Sequence, residues 1–263
     1  MQFGMPVLLE TKSLEACAAL CRELGLNFVE FNMNLPEYQA DRLDEVELRE
    51  IADKYNIYYT IHLDDYNTPC DFNNKISTAY VETVLDIIES AKRLAMPILN
   101  MHLHPGTYFT MPDKKIFLFE EYEQEYLQKL SVFRDACTEA IAGATIKICV
   151  ENCGDYAGKS YIRKGLALLL QSPVFALTFD IGHNATANYS DEPIIIKYAD
   201  RLSHFHIHDA ALGRGNHLTL GDGDMDLTRY LDMARTHNCR AVLEVKTADD
   251  LRCSAEWVKQ RGY

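Results

Sequence analysis

Residues 202–208 read LSHFHIH, a short apolar run that ends in candidate metal ligands. Five other runs share this form, in which a β-rich apolar stretch leads directly into His, Asp or Glu. They are YYTIH at 58–62, PILNMHLH at 97–104, IKICVE at 146–151, VFALTFD at 174–180 and AVLE at 241–244. Short, continuous apolar runs of this kind are typical of buried parallel strands. The sequence therefore predicts a parallel sheet whose strand ends carry the chemistry.

Helical segments separate these strands along the whole chain. Together with runs near residues 3–9 and 27–32, they make eight predicted strands that alternate strictly with eight predicted helices. This count is that of a (β/α)8 TIM barrel, in which the C-terminal strand ends meet on one face and form the active site. An open doubly wound sheet would not bring all these ends around one point. We predict one TIM-barrel domain over residues 1–263.

Composition limits the class of function. The 26 basic and 39 acidic residues give a formal net charge of −13, which opposes the binding of phosphate backbones and argues against a nucleic-acid partner. No run approaches a membrane span, the N-terminus lacks the features of a signal peptide, and the eight cysteines include no CxxC pair. We expect a cytoplasmic protein with reduced thiols and no membrane partner. A homo-oligomer is equally compatible with this composition.

Four residues at predicted strand ends suit a divalent cation, namely Glu151, Asp180, His206 and Glu244. Three carboxylates and one imidazole are suitable ligands for Mn²⁺, Mg²⁺, Co²⁺ or Zn²⁺. Without a cation, three carboxylates at a barrel mouth would be costly to desolvate. We therefore expect one divalent metal ion as the cofactor.

Glu151 and Glu244 are also the candidate catalytic residues. A metal ion that chelates a carbonyl and a neighbouring hydroxyl acidifies the C–H between them. One glutamate can remove that proton and the other can protonate the enediolate. This arrangement predicts an aldose–ketose isomerase, or an epimerase that acts beside a ketone.

A second set of residues is predicted to bind substrate or a second metal ion. It comprises His62, His102, His104, His183, His217 and Arg214. His102 and His104 have the same parity on one strand, so either can belong to the site. His208 or Asp209 can orient a metal ligand. Glu30, on the second strand, faces either the barrel interior or the helices.

The motifs, taken in order, resemble the xylose isomerase-like TIM-barrel superfamily, which includes sugar and sugar-phosphate isomerases and epimerases, inosose dehydratases and endonuclease IV. The resemblance covers most of the barrel. In the epimerase branch it implies that Glu151, Asp180, His206 and Glu244 bind the metal and that the two glutamates transfer the protons. The matching pieces are IHL at 61–63, HPG at 104–106, VEN at 150–152, FDIGH at 179–183, HFHIHD at 204–209, LGDGD at 220–224 and LEV at 243–245.

The endonuclease branch is the main alternative and implies a zinc-dependent phosphodiesterase that cleaves abasic sites. Residues that match ligands of its trinuclear zinc cluster are His62, His104, His183 and His217. Gly215 stands where that branch has an Asp ligand, and HLDD replaces its HAPY-like pattern after the third strand. A sugar or polyol substrate is therefore favoured over DNA. An inosose dehydratase-like lyase and a noncatalytic sugar-binding barrel are further alternatives.

We predict that the purified protein leaves abasic-site duplex DNA essentially uncut. Gly215 cannot ligate a third zinc ion, and a net charge of −13 repels a polyanion. The measurement is incubation of an end-labelled abasic duplex with the protein in Zn²⁺ or Mn²⁺, followed by a denaturing gel. Efficient metal-dependent incision would support the endonuclease alternative instead.

Overall fold

The computed structural model describes residues 1–263, and eight strands at its centre close into a barrel in which every neighbouring pair is parallel. The predicted TIM barrel is thereby confirmed. Neighbours in space follow the chain order, and the last strand pairs with the first. The strands are β1 (Gln2–Pro6), β2 (Phe28–Asn32), β3 (Tyr58–His62), β4 (Ile98–His102), β5 (Lys147–Glu151), β6 (Phe175–Asp180), β7 (Leu202–Ile207) and β8 (Arg240–Leu243).

Ten α-helices surround the barrel or cover its ends. None of them is long and apolar enough to cross a membrane. The helices are α1 (Leu14–Glu23), α2 (Glu45–Tyr55), α3 (Asn74–Arg93), α4 (Leu118–Glu121), α5 (Glu123–Ile141), α6 (Ser160–Leu169), α7 (Ile181–Thr186), α8 (Glu192–Lys197), α9 (Leu227–Thr236) and α10 (Ala248–Gln260), with short 3-10 turns at Pro36–Tyr38, Ala40–Arg42 and Ala199–Arg201.

Helix boundaries follow from capping side chains. Ser13 caps α1 by accepting the N–H of Ala16, and Asp44 caps α2 by accepting two backbone N–H groups. Such caps satisfy donors that have no partner inside the helix. At the other end of α2, Asn56 adopts the left-handed conformation (φ 51°), which terminates the helix and turns the chain toward β3.

The alternation of side chains along each strand places the polar residues inside the barrel. One layer of the interior is apolar and contains Ile98, Cys149 and Ala176. Two residues further along β4 and β6 stand Asn100 and Thr178, both fully buried. Because side chains on one face recur every second residue, the next members on these strands lie at the C-terminal mouth. The outer faces pack against the helices and form the large apolar core.

The structure departs from the sequence prediction in the segments around the mouth. The sequence pattern predicts one helix over residues 118–142 and another that begins at Thr78. In the structure the first is divided at Tyr122, and the second, α3, begins at Asn74 because Asn73 caps it. Two short hairpins were not predicted: Tyr108–Thr110 with Lys115–Phe117, and Asp209–Ala211 with Gly215–Leu218. Their strands are too short for alternation to be visible in the sequence.

The loop of the LGDGD motif is folded around the buried carboxylate of Asp209. This carboxylate accepts the backbone N–H groups of Ala210, Gly221, Gly223 and Met225 at 2.8–3.3 Å. The four N–H groups share this one buried acceptor, so the conformation of the loop depends on it.

We expect Asp209→Ala to lower the free energy of unfolding by about 3 kcal/mol, since four backbone N–H groups lose their shared acceptor. Urea denaturation followed by circular dichroism measures this change. Asp224→Ala is the matched control, because Asp224 is an exposed carboxylate of the same loop. Equal stabilities of the two variants would contradict the assigned role of Asp209.

Candidate functional site

The four predicted metal ligands meet at the C-terminal mouth of the barrel. Nδ1 of His206 lies 3.3 Å from Oε2 of Glu151, 3.1 Å from Oε2 of Glu244 and 3.8 Å from Oδ2 of Asp180. Glu151, Asp180 and His206 are buried, and the Glu244 side chain is 17% exposed. We call these four residues the carboxylate cluster.

Strand register brings the cluster together. Glu151 and Asp180 are the last residues of β5 and β6, and Asp180 is level with His206 on β7. Glu244 directly follows β8, where its N–H donates to the carbonyl of Ile207 at 2.9 Å. Residues far apart in sequence therefore share one level because parallel strands end together.

A buried carboxylate orients the imidazole of His206. Nε2 of His206 is 2.9 Å from Oε1 of Glu30, and Thr60 donates to the other oxygen of Glu30 at 2.9 Å. Burial alone would raise the pKa of Glu30, but His204 and His206 outweigh this effect and lower it. Because Glu30 is ionised, Nε2 of His206 carries the proton that it donates. Glu30 thus faces the interior, which answers the question that the sequence left open.

A second histidine orients Asp180. Nδ1 of His208 accepts the backbone N–H of His217 at 2.8 Å, so Nε2 of His208 carries the proton in the neutral ring. That nitrogen donates to Oδ2 of Asp180 at 3.1 Å. Asn152 also exchanges two hydrogen bonds of 2.9 Å with the backbone of Asp180. Of the two predicted orienting residues, His208 contacts a predicted ligand, whereas Asp209 organises a loop.

Two buried atoms at the centre of the cluster are 3.1 Å apart and form no hydrogen bond with each other or with any other group. They are Nδ1 of His206 and Oε2 of Glu244. With the proton on Nε2, the lone pair of Nδ1 faces the three carboxylates, an arrangement that is unfavourable without a positive charge between them. The donor set of one nitrogen and three carboxylates fits a divalent cation.

The pKa shifts have the same electrostatic origin. Burial lowers the pKa of His206, but the charges of Glu151, Glu244 and Glu30 outweigh burial and raise it well above its ordinary value. Burial raises the pKa of Glu151 and Glu244, and nearby histidines overcome that effect and hold both well below the usual range. The site therefore favours positive charge at its centre, which a proton or a metal ion can supply.

Three histidines of the second predicted set surround Glu151. Nε2 of His62 and Nε2 of His102 lie 3.5 and 3.4 Å from Oε2 of Glu151. Nδ1 of His183 lies 3.3 Å from Oε1 of Glu151 and 3.6 Å from Asp180. His183 reaches this position because α7 begins directly after Asp180, whose carboxylate caps the helix.

His104 and Arg214 of the second set lie further out, whereas His217 contacts the cluster, with its Nδ1 3.7 Å from Oε1 of Glu244. His104 contacts Tyr66 and the ring of His102, so His102 is the member of this pair beside Glu151. His217 stacks on His208, and its Nδ1 is 3.0 Å from the carbonyl oxygen of Glu244. Arg214 is exposed in the turn of the second hairpin, where it donates to the carbonyl of Asp222 at 2.7 Å. The structure does not bring Arg214 into the cluster.

Sequence reasoning missed a buried polar layer beneath the cluster. Asn100 donates to Oε2 of Glu151 and accepts from Thr178, and Thr178 also lies 3.3 Å from Nδ1 of His204. Each of these three residues stands two positions before a site residue, on β4, β6 and β7 respectively. The period of two along a strand was the signal that could have identified them.

Comparison with known proteins agrees with this architecture. The family model described as xylose isomerase-like TIM barrel matches residues 18–261. The uncharacterised protein MJ1311 of Methanocaldococcus jannaschii is 25% identical over 207 residues, covering 76% of this chain and 67% of that protein. The uncharacterised protein MJ1614 of the same organism is 22% identical over 215 residues, covering 80% of each.

Two solved structures show the same fold. A D-tagatose 3-epimerase-like protein superposes with a TM-score of 0.79 at 24% identity, covering 99% of this chain and 96% of that chain. The 3-keto-D-glucoside 4-epimerase YcjR from E. coli superposes with a TM-score of 0.78 at 13% identity, covering 99% of each. Since the family match extends over nearly the whole barrel, the chain belongs to the xylose isomerase-like TIM barrel family.

Proposed function

We propose that this protein is a metal-dependent isomerase or epimerase that transfers a proton next to the carbonyl of a keto-sugar, sugar phosphate or related polyol. The observation that carries the proposal is the convergence of three carboxylates on the unpartnered Nδ1 of His206. A barrel mouth that concentrates this charge is suited to a cation and to acid–base chemistry.

The similar structures support a sugar as the substrate class. They are described as a D-tagatose 3-epimerase-like protein, a D-allulose 3-epimerase from Methylomonas sp. in complex with D-allulose, and a 3-keto-D-glucoside 4-epimerase. All three names refer to sugar epimerases. At sequence identities of 13–24%, the similarity demonstrates only a shared fold. The acidic net charge of −13 also favours a small substrate over a nucleic acid.

Glu151, Asp180, His206 and Glu244 would hold one Mn²⁺, Mg²⁺, Co²⁺ or Zn²⁺ ion. When bound, such an ion polarises a chelated carbonyl and so acidifies the adjacent C–H. Glu30 keeps the proton of His206 on Nε2 and leaves Nδ1 available as a ligand. This outer hydrogen bond is the kind that fixes the ring orientation of metal-binding histidines.

We expect Glu151 and Glu244 to act on a substrate from two directions. They come from β5 and β8, with β6 and β7 between them. Each points one oxygen toward His206 and has a second oxygen beside another residue. That second oxygen lies 3.3 Å from His183 in Glu151 and 3.0 Å from Lys246 in Glu244.

Two carboxylates in these positions can divide the proton transfer. One accepts the proton from the carbon next to the carbonyl, and the other returns a proton to the enediolate, on the opposite face in an epimerase. His183, with a partly exposed side chain beside Glu151, is positioned to hold a substrate oxygen during the transfer. No redox partner is needed, since the substrate and product are isomers.

Replacing Glu30 by Gln should weaken metal binding by about 10- to 100-fold, because the hydrogen bond that orients His206 loses its charge. Competition with a chromogenic chelator measures the affinity, and elemental analysis gives the stoichiometry, which we expect to be one ion. Glu50→Gln is the control, since Glu50 is an exposed glutamate on α2. An affinity equal to that of this control would contradict the role of Glu30.

The metal-loaded enzyme, incubated with candidate ketoses in D₂O, should incorporate deuterium at the carbon beside the carbonyl. Glu244→Gln should suppress this exchange even where metal remains bound, because the variant cannot accept a proton. Proton NMR of the recovered sugar measures both results. An inactive ketose panel combined with turnover of a phosphodiester would refute the proposed function, whereas exchange followed by loss of water would indicate a dehydratase.

A further inference from the structure

A second cavity lies beside the cluster, between the loop that follows β3 and the loop that follows β4. Its volume is about 400 Å³, which lies within the range of small-molecule sites. Tyr66, Phe72, His104 and Phe119 contribute rings to its lining. None of the residues that line this cavity belongs to the carboxylate cluster or takes part in the proposed proton transfer.

Tyr66 is a large aromatic side chain that is 75% exposed. Its ring is parallel to that of His104, with an interplanar angle of 6° and centroids 5.8 Å apart. Its N–H donates to Asp64 at 2.8 Å, and its carbonyl accepts from Thr68 at 2.9 Å. An exposed aromatic ring at the rim of a cavity is a surface on which a sugar ring can stack.

His104 adds an unused polar atom to the same wall. Its Nε2 is buried and has no hydrogen-bond partner. An imidazole ring can exchange a hydrogen bond with a hydroxyl group of a bound sugar.

The remaining lining indicates a neutral polyhydroxyl ligand. Gly106 approaches Phe119 so closely that a Cβ atom would lie 2.4 Å from its ring, and Phe72 meets Phe119 edge to face. Asp71 and Thr68 supply polar groups, and no Lys or Arg lines the cavity. Aromatic surfaces combined with hydroxyl and carboxylate groups suit a sugar ring, whereas a phosphate would lack a cation.

His102 connects the cavity to the cluster, because it neighbours both His104 and Glu151. The ring of His104 is 5.9 Å from that of His102, and Nε2 of His102 is 3.4 Å from Glu151. Asp65, which directly precedes Tyr66, has its carboxylate 3.9 Å from Nδ1 of His102. A ligand with two linked rings would therefore contact both places at once.

We infer that this cavity is a second sugar subsite, and that the substrate is a glycoside whose second ring stacks on Tyr66 while its reacting ring lies between Glu151 and Glu244. The inference rests on the proposed function for the identity of the reacting ring. It assigns Tyr66 and His104 to substrate size selection and places His104 outside the metal site.

The test compares matched sugars by isothermal titration calorimetry with the Mn²⁺-loaded protein. The pairs are glucose with maltose and cellobiose, and galactose with lactose; 4-nitrophenyl glucoside tests an aromatic group in place of the second ring. We expect at least one disaccharide to bind about tenfold more tightly than its monosaccharide, the size of one aromatic stacking contact. Tyr66→Ala should reduce this ratio to about one.

His104→Phe keeps a flat ring but removes Nε2, so it should lower the ratio less than Tyr66→Ala does. Phe109→Ala is the control, because Phe109 is an exposed ring of the neighbouring hairpin that does not line the cavity. A ratio near one in the unaltered protein, an unchanged ratio in Tyr66→Ala, or tighter binding of the nitrophenyl glucoside alone would overturn the inference.

This measurement requires no turnover, so the two proposals can fail separately. Deuterium exchange with ketoses but no disaccharide preference would refute the subsite alone. A preference that depends on Tyr66, without exchange on any ketose or keto-glycoside, would refute the proposed reaction and leave the subsite in place.

Discussion

The contact between His206 and the surrounding carboxylates is the interaction on which the rest of the site depends. Glu30, Glu151, Asp180 and Glu244 all lie within hydrogen-bonding distance or slightly more of this one imidazole. Buried negative charge is costly unless it is paired. The polar layer inside the barrel, from Thr60 to Asn100, supplies the hydrogen bonds that hold these groups in place.

Different layers along the barrel axis contribute to stability and to the candidate site. Apolar residues fill the interior near one end, hydrogen-bonded polar residues follow, and the cluster occupies the C-terminal mouth. Side chains on the inner face of a strand recur every second residue, so the polar layer lies directly beneath the cluster and supports it. The loops add what the strands cannot, including the helix that carries His183 and the aromatic wall at Tyr66.

Much of the fold and of the carboxylate cluster could be predicted from the sequence. Strand and helix patterns are local, so eight alternating units were readable and imply one barrel. The strand-end rule then brought together Glu151, Asp180, His206 and Glu244, which the structure places around one nitrogen. The short hairpins and the break at Tyr122 were not readable, since each spans too few residues to establish a period.

Other features depended on tertiary structure. The alternation of side chains along the strand predicts the same face for His102 and His104, so it could not tell which of them lies beside Glu151. The structure decides for His102, because β4 ends at this residue. Whether Glu30 faced the interior depended on its register with Thr60, and Arg214 could be located only once the hairpin existed. Sequence alone determined which residues lie near strand ends because periodicity is local. Which of them touch was decided by register and loop path, because these depend on contacts between distant segments.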